Sequence, residues 1–240
     1  GKNFHHRPID EVLQEIEHLG KKRLLFLDPS LAEDRGYAKR LLKELIPLKI
    51  KWAGLSTIRL ALDDELVDLA AESGCRGILV GFESVSQKAL NGINKNFNLV
   101  ERYKEAINGF HQRGIAILGT FVFGLDDEDE DVFKRTADFI DDAKIDLVRY
   151  AVYTPFPGTP AFEELDKEGR ILTRDWNLYN TENVVFQPKP ISPDQLQEGP
   201  KDASRPTTSY RSLFRRLAWT RRLRSSSAAL TLRLRSYLPT

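Results

Sequence analysis

The sequence predicts an α/β fold built on a parallel sheet. Three observations point to it. Apolar runs of strand length alternate five times with amphipathic helical patterns. The helical connections are roughly ten to sixteen residues long, enough for right-handed βαβ crossovers. Polar residues gather just past each run, where the carboxyl edge of such a sheet places its chemistry. Five strands suit an open sheet, or a partial barrel lacking a strand.

The elements follow in order. Pro8 stands at a first helical position with Asp10 and Glu11 behind it, where acids oppose the helix dipole favourably. Ile9, Val12, Ile16 and Leu19 supply one apolar face, and Gly20 stops the helix. Residues 23–28 form the first strand. The helix before it has no strand of its own, so a βα repeat implies a missing first strand and loop. Residues 37–45 are a helix stopped by Pro47, and 50–55 a strand carrying Trp52. Asp63 caps a helix that buries Leu66, Leu69 and Ala70 and ends at Gly74. Residues 76–81 are the clearest buried strand: Ile78, Leu79 and Val80 between glycines, followed by Glu83 and Ser84. A long helix spans 98–113, with Gly114 as its stop, and a strand spans 115–122. The acidic run 126–131 opens a helix to about Ala143, its acids again at the favourable end. Residues 145–150 are the last strand.

Beyond it the organisation changes. Residues 153–160 form a stiff loop, with three prolines fixing φ and Gly158 allowing a tight turn. A short helix spans 161–168, and 170–191 wrap the outside of the sheet. Ser192 and Pro193 open another helix as cap and first residue. The expected divisions are 1–160 for the sheet domain, 161–199 for the wrapping segment and 200–240 for a basic helical extension.

Composition narrows the function classes. The 240 residues, 41% hydrophobic and 30% charged, suit one globular domain with a small appendage. No run approaches the roughly 18 apolar residues of a membrane span. The single cysteine, Cys75, excludes an internal disulfide framework and an all-cysteine metal site within this chain, and makes a reducing cytoplasm the default. The chain has no methionine and opens straight into a helix, which suggests a start further upstream. Nine arginines and no acid follow Asp202. Set against the whole-chain charge of +1, they leave about −8 on the preceding part.

Candidate chemistry lies at the strand ends: Asp28; Ser56 and Thr57; Glu83 and Ser84; Thr120 with Asp126 beyond; Tyr153 and Thr154. On one sheet edge these carboxylates and hydroxyls can hold an amino group and ribose hydroxyls by charge-assisted hydrogen bonds. Gly119 interrupts the fourth strand, as a bulge or for close approach of a ligand. Dinucleotide, phosphate-loop, zinc-protease and nucleophile-elbow motifs are all missing. In the tail, Tyr210, Leu213, Phe214, Leu217 and Ala218 fall at helical spacing, with Trp219 beside them and Arg211, Arg215, Arg216, Arg221 and Arg222 around them. Such a basic amphipathic helix can dock on the acidic domain or lie on a membrane surface. Nucleic-acid binding is the weakest option, since no recognised motif accompanies the arginines.

The segments RPIDEV (7–12), FLD (26–28), GFES (81–84), TFVFGLD (120–126), TPFPGTP (154–160) and FQPK (186–189), with SP at 192–193 and LQEG at 196–199, resemble the radical S-adenosylmethionine (SAM) enzymes. The nearest likeness is to those carrying an N-terminal cobalamin-binding domain, the group that includes hopanoid methylases. It covers about residues 4–200 and extends weakly into YRSLFRRL (210–217). The resemblance implies a partial (β/α) barrel of six units, five strands retained here. It also implies SAM, a 4Fe–4S cluster held by a C-x-x-x-C-x-x-C loop, a reductant such as flavodoxin or ferredoxin, cobalamin in an upstream domain, and methyl transfer to a carbon centre. The substrate class would be a small molecule or a lipid, the latter placing the protein at the inner membrane face. By position, Asp28, Ser56, Glu83, Ser84, Ile117, Gly119, Tyr153 and Thr154 would contact SAM. Pro29 and Ser30 depart from the acidic and amide residues often found after Asp28. The cysteine triad is missing, and one thiolate cannot replace three, so this chain alone is expected to lack radical activity. The other readings of the residues are a cluster-free ligand-binding or scaffold barrel, and a lipid or nucleic-acid surface module working through the tail.

Overall fold

Five parallel strands lie side by side in sequence order and curl into a half-barrel: β1 (Arg23–Leu25), β2 (Lys51–Ser56), β3 (Cys75–Glu83), β4 (Ala116–Phe123) and β5 (Leu147–Val152). The structure, a computed structural model, describes residues 5–217. Ala218, Trp219, Arg221 and Arg222 of the expected tail helix lie outside the described residues. Helices α1 (Ile9–Leu19), α2 (Arg35–Leu45), α3 (Asp64–Glu72), α4 (Gln87–Gly92), α5 (Tyr103–Gln112) and α6 (Val132–Ala143) belong to the βα repeat. After β5 come α7 (Pro160–Lys167), α8 (Pro193–Thr207) and α9 (Tyr210–Leu217).

The two faces of the sheet differ. Trp52, Ile78, Val80, Phe82, Ile117 and Phe121 turn to the helices and are buried in the main core. The alternate residues, among them Ala53, Leu55, Leu79, Leu118 and Thr120, face the hollow and are only half-buried. A second core, of Phe123, Val132, Val152, Leu165, Phe186 and Leu196, ties α6, α7, α8 and the wrapping segment to the ends of β4 and β5.

Several boundaries differ from expectation, each for a physical reason. The first strand stops at Leu25. It is an edge strand, and Leu25, paired with Ala53 on the hollow side, and Leu27 just beyond the strand stay 63% and 74% exposed. Glu83 belongs to β3, which runs past Gly81 through an irregularity in its pairing with β4. The acidic run does not open α6. Glu128 folds back onto the end of β4, and the helix begins only at Val132. The helix expected over 98–113 divides into a 3-10 turn, Val100–Arg102, and α5. The unpredicted α4 precedes it, capped by Ser86, which accepts from Ala89 N. α8 runs through position 200 without a break, held by burial of Leu196, Gly199 and Ala203. A Cβ at Gly199 would lie 2.1 Å from the Phe133 ring, so α6 and α8 approach more closely there than any side chain permits.

The described part of the basic tail docks on the domain. Arg216 is fully buried and donates to Ile145 O at 2.8 Å and to Thr207 O. Ser212 and Arg215 both reach the Asp141 carboxylate.

Candidate functional site

Parallel strands in sequential order bring all five carboxyl ends to one edge. At this edge the end of β3 is distorted. Glu83 has φ +65°, a left-handed backbone that costs a non-glycine residue on the order of 1 kcal/mol. The distortion turns the Glu83 carboxylate back over Gly81 on the hollow side: a Cβ at Gly81 would lie 2.7 Å from Glu83 Oε1 and 3.8 Å from Thr120 Oγ1. A side chain at position 81 would push the carboxylate off this spot. Lys95 Nζ stands 3.5 Å from the same oxygen. Behind the bend, Asn98 Nδ2 donates to Gly81 O (3.0 Å) and Phe82 O (3.2 Å), and the Tyr103 hydroxyl donates to Phe82 O (2.8 Å).

Ser84, the next residue, is buried. Its hydroxyl donates to Glu128 Oε1 at 2.8 Å, while Glu128 Oε2 accepts from Gly124 N (3.0 Å) and Leu125 N (3.2 Å). One carboxyl group therefore clamps the ends of β3 and β4 together. Burial pushes Glu128 up to about 7, against the pull of these three donors. Sequence reasoning missed Glu128 because it sits inside an acidic run that reads as a solvated helix start. The available signal was the spacing, four residues after Gly124 and within reach of its backbone.

The other expected site residues fall in different places. Asp28 is exposed on the loop beyond β1. Ser56 is buried at the end of β2, paired with Val80 on the helix side, and its hydroxyl has no hydrogen-bond partner. Ile117 and Gly119 also face the helices. Ile117 is the second residue of β4, at the opposite edge, and Gly119 packs against Phe82 and Ile145. Thr154 is buried with its hydroxyl on Val152 O at 3.1 Å. Tyr153 and Asp126 line a separate cleft of about 130 Å³ off the ends of β4 and β5. Burial raises Asp126, but Arg170 and Lys189 outweigh it and hold the carboxyl below its usual range. That pair binds the wrapping segment to the β4 end. The structure thus gathers Gly81, Glu83 and Thr120 on the hollow side and Ser84 with Glu128 behind them.

The two implied cofactors fare differently. An acceptor carboxylate over a glycine, beside a hydroxyl, fits the amino group or ribose of SAM. A 4Fe–4S cluster does not fit this chain's residues. Cys75 opens β3 at the far edge, is buried, and is pushed up to about 12 by that burial. Among the described residues no group of three or more His, Cys, Asp or Glu could hold a metal. No helix among them is long and apolar enough to cross a membrane.

Comparison with known proteins agrees with this architecture. Residues 1–140 match the Radical SAM superfamily. The chain is 36% identical over 204 residues to bacteriochlorophyllide d C-12(1)-methyltransferase of Chlorobaculum tepidum, covering 82% of this chain and 44% of that one. It is 23% identical over 185 residues to hopanoid C-2 methylase of Rhodopseudomonas palustris, covering 73% and 35%. The fold matches the radical S-adenosylmethionine methyltransferase TsrM of Kitasatospora setae, solved with cobalamin and a [4Fe-4S] cluster bound, with a TM-score of 0.63 and 21% identity over 80% of this chain and 41% of that one. The chain spans less than half the length of each of these proteins.

Proposed function

The chain belongs to the radical SAM superfamily, and from that premise we propose that it binds SAM in the hollow of the half-barrel and serves methylation of a carbon centre on a broad apolar substrate. The observation that carries the reading is the Glu83 carboxylate held over Gly81, beside Thr120, on a wall that also presents the apolar Ala53, Leu55, Leu79 and Leu118. Glu83 accepts from the ammonium or ribose hydroxyls of the ligand, and Glu128 acts through Ser84 to keep the β3 end in place. SAM, when bound, is the source of the reactive group. The 4Fe–4S cluster, cobalamin and a reductant such as flavodoxin or ferredoxin belong to the remainder of the enzyme in this reading, and this chain alone has no radical activity. The setting is the cytoplasm.

The 36% identity to a bacteriochlorophyllide methyltransferase, against 23% to a hopanoid methylase, favours a tetrapyrrole-like ring system over a polycyclic lipid as substrate. For the lipid, contact with a membrane surface would run through the outer side of α9, where Tyr210 and Phe214 are exposed. Calorimetric titration of SAM into the chain tests the main reading. Replacing Glu83 by Gln should weaken SAM about tenfold or more, the scale of a lost charge-assisted hydrogen bond. Equal affinity of wild type and E83Q would remove the assignment. No SAM binding to either would favour a cluster-free scaffold.

A further inference from the structure

On the hollow side of the sheet, one register row crosses three strands: Gly81 on β3, Thr120 on β4 and Arg149 on β5. The row carries a carboxylate at one end, that of Glu83 lying over Gly81, and a guanidinium at the other. The backbones of β3 and β5 are two strand spacings apart along this row, roughly 10 Å. Tyr150, the neighbour of Arg149, points the other way: its hydroxyl lies 2.9 Å from Thr207 Oγ1 and 3.2 Å from Ala203 O on α8. Alternation then sets Arg149 toward the hollow, on the same side as Leu118 and Ala151. It is exposed, and among the described residues its side chain forms no hydrogen bond or ion pair. Arg35, Arg102, Arg113, Arg135 and Arg170 are matched with carboxylates. Arg23 and Arg40 are exposed like Arg149, but Arg23 opens β1 at the far edge of the sheet and Arg40 lies on α2. Arg149 is set apart by standing in the row that Glu83 overlies.

An exposed arginine costs little while water reaches it. A broad apolar ligand seated on Leu118 and Ala151 would strip that water and leave a buried unpaired cation, which is expensive. The ligand must then bring its own anion. We propose that Arg149 anchors a carboxylate carried by the substrate, so that the accepted class is an organic acid on a broad apolar framework. This rests on the reading of the hollow as the substrate and SAM site. Guanidinium suits the task, since its fork binds a carboxylate through two parallel hydrogen bonds. Two strands away from Glu83, Arg149 is set to one side of the SAM position proposed above, and the anchor is therefore given to the substrate, with SAM affinity in R149Q as the check.

The test titrates the chain with two acid–ester pairs: protoporphyrin IX with its dimethyl ester, and deoxycholate with its methyl ester. Wild type, R149Q and R149K are compared, with circular dichroism as the folding control. The expected result is that at least one acid binds wild type about ten- to a hundredfold more tightly than its ester. R149Q should lose that preference and R149K should keep part of it. Success with deoxycholate but not protoporphyrin supports the carboxylate anchor and rejects the tetrapyrrole class. Acid preference unchanged in R149Q, or no binding of either acid, overturns the proposal. So does a loss of SAM affinity in R149Q with the acid preference intact, which would move Arg149 to SAM.

Discussion

At the scale of single residues, Glu128 holds a position that its neighbours in the chain do not announce. Its carboxyl meets three donors from two strand ends while almost wholly out of water. Truncation in E128A should cost about 2–4 kcal/mol, because buried donors lose their partner. The isostere E128Q should be tolerated, its oxygen accepting from the backbone and its amide donating to Ser84. The pH dependence follows from the raised value of about 7 against 4.5 for the free group. The fold favours the protonated acid. That contribution is complete below pH 4.5 and is lost as pH rises through 7. Wild type should therefore fall behind E128Q by about 3 kcal/mol at pH 8 and match it near pH 4.5. Urea melts across that range measure the gap, and parallel curves for the two proteins would refute it. Ser84 was legible in the sequence because it follows a strand. Its partner lies 44 residues away, a distance no local pattern spans.

At the scale of elements, the legible pieces were those whose signals are local. Asp63 accepts from Leu66 N, and Ser192 with Gln195 forms a capping box, both as their spacing indicates. The run at 78–80 is a central strand because it is apolar without alternation and buried between neighbours. Elements set by tertiary contacts were misjudged. The start of α6 is fixed by Glu128, and the end of β1 by its place at the sheet's edge. α9 docks on the domain, one of the two placements its sequence allowed, but the side that docks was not legible: Tyr210 and Phe214 stay exposed while Arg216 is fully buried. Burial lowers its pKa, with Asp141 acting against that. R216A should remove the donors to Ile145 O and Thr207 O and release the helix. Hydrogen exchange across 210–217 should then accelerate while amides of β3 and β4 stay protected. R216K should retain part of the protection. Unchanged exchange in R216A would mean that Ser212 and Arg215 hold the helix by themselves.

At the scale of the molecule, the parallel sheet and its single functional edge were legible, because alternation of strand and helix leaves few topologies. The wall of the hollow was not, because it depends on which way each side chain turns. Ser56, Ile117 and Gly119 sit at plausible positions yet face the helices, while Arg149 drew no notice in the sequence. The wrapping segment raises the last question, whether it folds with the sheet or merely against it. Val152 N donates to Thr181 O at 2.7 Å, and Ile171 bridges to Phe186. Phe186, fully buried, shares one core with residues of β4, β5, α6, α7 and α8. Tyr150 packs against both this cluster and the main core and joins the two, so residues 5–207 should unfold as one unit. F186A should cost about 3–5 kcal/mol and shift the urea midpoint without changing the slope. Hydrogen exchange followed through the same melt should show peptides from β2 and from α8 opening at one midpoint in both proteins. An earlier midpoint for α8 alone would make the wrapping segment a separate unit laid over the barrel, with Phe186 serving only that unit.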